Sequence, residues 1–342
     1  MDKQFFEVFS KQLEYNKCYI YDIIKNNPKE KDNVSYSRQL NAMHEIENGI
    51  CVNPKLIFDL IYPNQVKIGQ TKPVQFFSKY IDKSQGFAVQ KALAMDNLLV
   101  IQGPPGAGKT TTITEIIKQL KKQQPQSKIL ITSQSHIAVD NVINKLGLEG
   151  LAENVVRAYS NDKALADMKK YSVEKVFDSV IKNSDNQLKN VLESYNQKQE
   201  DNTIENSFLS SYSKDIILSK DIIGVTINSA ANCRFGMSGV LDYAIIDEVG
   251  KCSFAEVLMI AQMCKKLILI GDERQLPAVM AQFPEKSTYN QEGYEYDDGE
   301  ENRLPAALER GAEAGNILFL HRLYFVIAAH NVKGYDTLNN KP

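Results

Sequence analysis

One segment of the chain, Gly103–Thr110 (GPPGAGKT), constrains the fold more than any other. The apolar run before it, Leu98–Gln102, predicts a buried strand, and the isoleucine and leucine spacing over Thr110–Gln123 predicts an amphipathic helix. The segment fits the pattern G-x-x-x-x-G-K-S/T, whose glycines let the backbone amides curl around a phosphate chain. Strand, loop and helix in this order predict a phosphate-binding loop in an α/β fold.

The residues of this loop have distinct predicted roles. Lys109 would reach the β- and γ-phosphates of a nucleotide, and the Thr110 hydroxyl would bind Mg²⁺. The helix N-terminus would add its positive end. The alternative is an incidental glycine-rich turn. The predicted nucleotide-binding residues of this region are Gly103, Pro104, Pro105, Gly106, Ala107, Gly108, Lys109, Thr110 and Thr111.

The rest of the core alternates between predicted strands and helices. The further strands are Lys128–Thr132, Ile222–Thr226, Leu241–Ile246 and Lys266–Ile270, and the further helices are His136–Leu146 and Phe254–Cys264. Such alternation predicts a mostly parallel sheet with helices on both faces.

We divide the chain into three parts. Residues 1–80 would be a helical N-terminal segment, residues 81–280 the α/β core with a helical insertion at about 162–221, and residues 281–342 an acidic loop and a C-terminal segment. The N-terminal segment has predicted helices at Lys3–Ile24, Leu40–Ile50 and Pro54–Ile61 and a loop at Asn26–Asn33; the acidic loop is Gln282–Asn302.

Polar residues follow two of the predicted strands. Asp247 and Glu248 end the strand Leu241–Ile246, where Asp247 would hold Mg²⁺ and Glu248 would act as general base on the attacking water. Asp272 and Gln275 follow Lys266–Ile270 and would project toward the γ-phosphate or its water, because parallel strands end at one edge. For this second strand end, the alternative is a plain turn.

Composition bounds the location and the partners. The net charge of −2 gives no global field for nucleic acid, so any such binding needs a local basic face. Five widely spaced cysteines without a CxxC pair favour a reducing compartment, cytoplasmic or nuclear. The N-terminus does not resemble a signal peptide, and no run of about 18 apolar residues predicts a membrane span.

In order along the chain, these motifs resemble the first motor domain of a superfamily 1 helicase of the Upf-like branch. The resemblance rests on Gln85-x-x-Ala88-Val89, Ile101–Thr112, Ile129–Asn141, Ile223–Thr226, Asp247-Glu248 and Gly271-Asp272-x-x-Gln275-Leu276-Pro277. It implies a RecA-like P-loop NTPase that uses ATP and Mg²⁺, with Gln85 reading the adenine. It also implies a partner, single-stranded RNA or DNA, contacted by Ser133, Gln134, Ser135 and Thr226. Each of these four has a structural alternative as a capping or turn residue.

The sequence departs from the family pattern at several positions. Ala107 replaces a threonine, His136 an asparagine and Val249 an alanine. After Pro277 only 65 residues follow, too few for the family's second RecA-like domain. We therefore expect a fragment, or a chain that works with a second domain in trans, and slow hydrolysis by the chain alone. A helicase-derived regulatory or scaffold protein is the alternative, and a small-molecule kinase is a more distant one.

Overall fold

The computed structural model describes residues 33–62, 66–158, 166–182, 215–233 and 241–272, together with Lys17 and Ile20. Several predictions therefore lie wholly or largely outside the described residues. These are the helix Lys3–Ile24, the loop Asn26–Asn33, most of the insertion, Gln275, the acidic loop and the C-terminal segment.

A parallel sheet of six strands forms the centre of the described structure. The strands are β1 (Leu98–Gln102), β2 (Ile129–Ser133), β3 (Val155–Arg157), β4 (Ile222–Thr226), β5 (Leu241–Ile246) and β6 (Cys264–Gly271). They lie in the order β1-β6-β5-β2-β4-β3, and every pair of neighbours is parallel. The predicted mostly parallel α/β fold is confirmed.

The register brings the carboxyl ends of the strands to one edge. Gln102 of β1 lies opposite Gly271 of β6, and Ser133 of β2 lies opposite Thr226 of β4. β5, which ends at Ile246, lies between β2 and β6. The residues that follow β1, β2, β5 and β6 therefore share this carboxyl edge.

Three helices cover one face of the sheet. They are α3 (Lys83–Ala94), α4 (Lys109–Gln123) and α5 (His136–Leu146). The predicted apolar face of α4 is buried, because Ile113, Ile116, Ile117 and Leu120 pack with strand residues such as Ile131 in one core cluster. This burial fixes the direction of α4 and, with it, the position of the loop that precedes it.

The other face is covered by α1 (Asn33–Glu47), α2 (Pro54–Ile61), α6 (Val173–Lys182), α7 (Ile227–Cys233) and α8 (Phe254–Ala261). The first two come from the predicted N-terminal segment, and their apolar side chains join the same core cluster as α8. Ser35 of α1 donates to Asn228 of α7 at 2.6 Å, which ties this segment to the core. The division of the chain into three parts remains a prediction.

Two predicted helices have the wrong bounds. The helix predicted at Leu40–Ile50 is α1, which begins at Asn33, inside the predicted loop, and ends at Glu47. The helix predicted at Phe254–Cys264 ends at Ala261, because β6 already begins at Cys264. The apolar residues run on from this helix into the strand, so their spacing marks no boundary.

Candidate nucleotide and nucleic-acid site

The loop between β1 and α4 has the backbone of a phosphate cradle. Gly106 and Gly108 have φ values of 77° and 76°, which only glycine adopts without strain. The helix that follows has no side-chain cap. Its hydrogen bonds begin at Thr112, whose N–H donates to the Gly108 carbonyl at 3.0 Å. The amides of the first turn thus have no partner within the helix, which suits an anion. A Cβ on Gly106 would meet nothing within 4 Å, so the loop opens outward there.

The lysine of the loop folds back on the loop itself. Lys109 Nζ donates to the Gly103 carbonyl at 2.8 Å, so binding a phosphate requires that it exchange this partner. Thr110 is partly exposed, beside it at the start of α4. The Thr111 hydroxyl accepts a hydrogen bond of 2.6 Å from Lys145 and so joins α4 to α5.

Gln85 lies against the same loop. It is 7% exposed in the first turn of α3, and its Oε1 accepts from the Asp82 N–H at 3.2 Å. Its Nε2 donates to the Ala107 carbonyl at 3.0 Å. A Cβ on Gly108 would lie 2.3 Å from that nitrogen, so glycine is required there for space as well as for φ. Adenine recognition by this side chain stays a prediction.

The carboxylate at the end of β5 is buried near the loop. Asp247 is 5% exposed and accepts a hydrogen bond from the Glu248 N–H at 2.9 Å. Burial raises the pKa of Asp247 to about 6, although the Glu248 N–H and the charge of Lys109 act in the opposite direction. An aspartate and a threonine hydroxyl are the oxygen ligands that Mg²⁺ prefers. Asp247 and Thr110 therefore fit the metal.

Glu248 has a strained backbone. Its φ of 55° and ψ of 39° are left-handed, and among the described residues it is the only non-glycine with positive φ. Its carboxylate accepts from Lys251 Nζ at 2.7 Å, across the one-turn helix Val249–Lys251. The left-handed conformation of Glu248 turns the chain sharply where β5 ends.

The end of β6 lies between these two parts of the site. The Gly271 carbonyl accepts from the Gly103 N–H at 2.8 Å, and a Cβ on Gly250 would come within 2.8 Å of the Asp272 carbonyl oxygen. Asp272 itself is 7% exposed. The backbone at the end of β6 therefore contacts the phosphate loop through Gly271 and the turn after Asp247-Glu248 through Asp272. The role of Asp272 toward the γ-phosphate stays a prediction. Gln275 lies outside the described residues.

The four predicted nucleic-acid residues lie at the ends of β2 and β4, and each has a local partner. The Ser135 hydroxyl accepts from the Ala138 N–H at 3.4 Å and caps α5, which is the structural alternative named above. The Ser133 hydroxyl accepts from the Ser135 N–H at 3.2 Å, and the Thr226 hydroxyl donates to Ser229 at 3.0 Å. The Gln134 amide donates to Glu256 at 2.6 Å.

Comparison with known proteins gives a family. The sequence model of the family described as "AAA domain" matches residues 80–211 and 183–282, more than half of the chain. The chain belongs to this family. With the helicase relatives below, the match establishes a superfamily 1, Upf-like helicase motor domain, which at the family level is an ATP-dependent nucleic-acid motor.

Curated relatives match this AAA domain over a small part of their own length. DNA-binding protein SMUBP-2 of Mus musculus is 29% identical over 230 residues, 60% of this chain and 22% of the relative. Putative ATP-dependent RNA helicase ECM32 of Saccharomyces cerevisiae is 28% identical over 260 residues, 70% of this chain and 22% of the relative. The crystal structure of Pif1 helicase from Candida albicans covers 59% of this chain and 35% of its own at 15% identity, with a TM-score of 0.27, too low for comparison in detail. The chain thus spans about a fifth of the length of these two curated relatives.

Arg157 and Glu256 are two of the buried charged residues of the AAA domain that were not identified from the sequence. Arg157, on β3, has a fully buried side chain that donates to Asp140 at 2.6 Å and contacts His136 Nδ1 at 3.1 Å, so it holds the start of α5. Glu256, on α8, holds Gln134. The sequence offered a signal for Arg157, because an arginine follows two valines in a short apolar segment. It offered none for Glu256, which looks like an ordinary capping residue at a helix start. In the part of the chain that the structure describes, no helix is long and apolar enough to cross a membrane.

Proposed function

We propose that this chain binds ATP with Mg²⁺ and hydrolyses it as one motor domain of a helicase that acts on single-stranded RNA or DNA. The observation that supports this best is the shared edge of the sheet, where Gly103–Thr110, Asp247, Glu248 and Asp272 lie together. A phosphate cradle beside two carboxylates suits phosphoryl transfer to water.

Nucleotide binding would use groups that now hold the loop. Lys109 would leave the Gly103 carbonyl for the β- and γ-phosphates, and the loop amides would donate to the same phosphate chain. Thr110 and Asp247 would hold Mg²⁺, which when bound neutralises charge on the phosphates. Gln85 would present its amide to the adenine, and Thr111 would support the loop through Lys145.

Hydrolysis would depend on Glu248. Its carboxylate would take the proton of the attacking water after exchanging its bond with Lys251. Asp272 and Gln275 would sense the γ-phosphate from the end of β6. An arginine finger contributes about 10³–10⁵-fold in related NTPases. In the family that the sequence resembles, this arginine comes from the second RecA-like domain. We therefore propose that the chain alone hydrolyses ATP slowly and that a second RecA-like domain completes the site.

A nucleic-acid strand would lie across the ends of β2 and β4. Ser133 and Thr226 are opposite each other in the sheet, and the loop with Gln134 and Ser135 follows directly. The relatives include both a DNA-binding protein and a putative ATP-dependent RNA helicase, so the proposal covers both kinds of strand. The five widely spaced cysteines favour a reducing compartment, so we propose that the protein acts in the cytoplasm or the nucleus.

The nucleotide site is tested by exchanging one lysine. Lys109→Ala is expected to weaken ATP binding by about 100-fold, because several hydrogen bonds to charged phosphates are lost. Lys122→Ala, an exposed lysine on the same helix, is the matched control and should bind as the unmodified chain does. Calorimetry with ATP and Mg²⁺ measures both. Equal affinity in Lys109→Ala and the unmodified chain would overturn the site.

Glu248→Gln separates binding from chemistry. This variant should keep the nucleotide affinity and lose the remaining phosphate release, measured with and without a single-stranded oligonucleotide. Nucleotide binding with no turnover in the unmodified chain would favour the regulatory or scaffold alternative. Rapid turnover stimulated by the oligonucleotide would contradict the proposed need for a second domain.

A further inference from the structure

One side chain of the predicted nucleic-acid loop contacts a carboxylate in the first turn of α8, the helix that follows the predicted general base along the chain. Gln134 is an exposed residue between β2 and α5, and its Nε2 lies 2.6 Å from Glu256 Oε2. Glu256 is 7% exposed in the first turn of α8. A loop residue at the surface is thus held by a carboxylate in the interior.

That carboxylate depends on few donors. The same Oε2 atom accepts from the Ser253 N–H at 2.8 Å, and the Ser253 hydroxyl accepts from the Glu256 N–H at 3.2 Å, which completes a capping box at the start of α8. Burial raises the pKa of Glu256, while the bonds from Ser253 and Gln134 act against that shift. Gln134 is therefore one of the groups that stabilise the buried charge.

The start of α8 is connected to Glu248 through a short segment that contains the one-turn helix Val249–Lys251. The Glu248 carbonyl accepts from the Lys251 N–H at 3.0 Å, and Ser253, the cap of α8, comes two residues after Lys251. Every residue of α8 is buried, so the helix cannot move at one end without moving against its neighbours. A change in the partners of Glu256 would thus act on the turn that carries Glu248.

We propose that Gln134 and Glu256 form the link through which a bound strand acts on the nucleotide site, with Glu256 as the positioning residue. The inference rests on the proposed function. An amide nitrogen has two N–H donors, so Gln134 can hold Glu256 with one and a backbone phosphate with the other. The negative charges of the phosphate and of Glu256 then lie close together on the same amide and repel each other. This repulsion displaces Glu256 and, with it, the first turn of α8. Coupling of this kind is reciprocal, so nucleotide binding must change the affinity for the strand by the same factor.

The experiment measures the coupling factor in the full 342-residue chain. A labelled single-stranded oligonucleotide, tested as RNA and as DNA, is titrated by fluorescence anisotropy with and without Mg²⁺ and a non-hydrolysable ATP analogue. The unmodified chain should show a coupling of about 5- to 150-fold, the usual range between two sites. Gln134→Leu should reduce the factor to within about twofold of unity, because the strand then no longer shares a donor with Glu256.

Glu256→Gln gives a result that a merely structural role would not. Its side-chain oxygen can still accept from Ser253 and Gln134, but the charge that repels the phosphate is gone. The nucleotide-free variant should therefore bind the oligonucleotide severalfold more tightly than the unmodified chain, and its coupling should fall. Gln126→Leu makes the same change as Gln134→Leu at an exposed position before β2, at the opposite edge, and should alter nothing.

The possible failures are distinguishable. If the unmodified chain binds no ATP analogue or no oligonucleotide, the proposed function fails and this inference fails with it. If both bind without coupling, or if Gln134→Leu keeps the full coupling, the link alone is wrong. Weaker or unchanged oligonucleotide binding by Glu256→Gln would also overturn it, because Glu256 would then serve only to cap α8.

Discussion

The two edges of the sheet both place lysine near aspartate, but they satisfy these charges differently. At the amino edge, Lys121 and Lys128 donate to Asp221 at 3.0 and 3.2 Å, and each also donates to backbone carbonyls. At the carboxyl edge, Lys109 donates to the Gly103 carbonyl, while Asp247 accepts from a backbone N–H. The amino edge thus pairs its charges directly with each other.

The pKa values of the two aspartates record this difference. Burial raises the pKa of Asp221, but the hydrogen bonds from Lys121 and Lys128 outweigh it, and the net pKa is lowered. Burial raises the pKa of Asp247 to about 6, and no comparable pair of donors offsets it. The charge of Asp221 thus holds strand ends together at the amino edge, whereas the charge of Asp247 is poorly compensated at the carboxyl edge, as expected of a site that a ligand completes.

Lys121→Met should have the largest effect on stability, because it breaks the pairing at the amino edge. The side chain of Lys121 is 8% exposed, and its removal leaves Asp221 with Lys128 and Asn154. We expect the free energy of unfolding to fall by about 3–4 kcal/mol, near the lower end of the range for breaking a buried pair. Denaturant unfolding measures this loss.

The control for that experiment is Lys122→Met, the exposed neighbour on the same helix, which should change stability by under about 0.5 kcal/mol. Nucleotide affinity should be unchanged in both variants at temperatures where they are folded. A loss of nucleotide affinity in folded Lys121→Met would mean that the two edges do not act separately.

Five of the six strands were predictable because they are largely apolar, whereas the three-residue strand β3 was not predicted. β1, β2, β4 and β5 are fully or largely buried on both faces, so each is a segment rich in leucine, isoleucine or valine between polar segments. The helix α1 was harder to place. Its first turn holds the core through a hydrogen bond, Ser35 to Asn228, rather than through apolar spacing, so hydrophobic periodicity could not locate its start.

The predicted site divides in the same way. The loop Gly103–Thr110 and the pair Asp247-Glu248 follow local patterns that reflect local chemistry, and the structure brings them to one edge. The Gln85 contact with Ala107 and the Gln134 contact with Glu256 join residues 22 and 122 positions apart in sequence. No periodicity encodes a contact of that kind, which depends on the order of strands in the sheet.

Asp247→Asn should stabilise the protein at neutral pH, opposite in sign to the change at the amino edge. The pKa of Asp247 is about 6 in the folded state and has its ordinary value of 3.8 in the unfolded state, so the folded state binds the proton more tightly. This contribution to stability is fully present below pH 3.8 and is lost as the pH rises through 6. One pKa unit corresponds to about 1.4 kcal/mol, so the variant should gain up to about 2–3 kcal/mol over the unmodified chain above pH 7.

The measurement is denaturant unfolding from pH 4.5 to 8 in the presence of a chelator. The difference between Asp247→Asn and the unmodified chain should grow between pH 4.5 and 6.5 and then level off. Mg²⁺ with nucleotide should stabilise the unmodified chain and not the variant. A difference that is flat with pH would show that Asp247 is compensated as well as Asp221 is.

Glu248→Gly should have the smallest effect on stability, and it tests whether the backbone at the carboxyl edge is strained. A left-handed conformation costs a residue with a Cβ about 1–2 kcal/mol, and glycine avoids this cost. Glu248→Ala is the matched control, since it loses the same carboxylate and the same exposed pair with Lys251 but keeps the Cβ. The glycine variant should be more stable than the alanine variant by about 1 kcal/mol, and both should lack hydrolysis. If the two unfold with equal free energy, the turn carries no strain, and the poor compensation of the carboxyl edge is confined to its side chains.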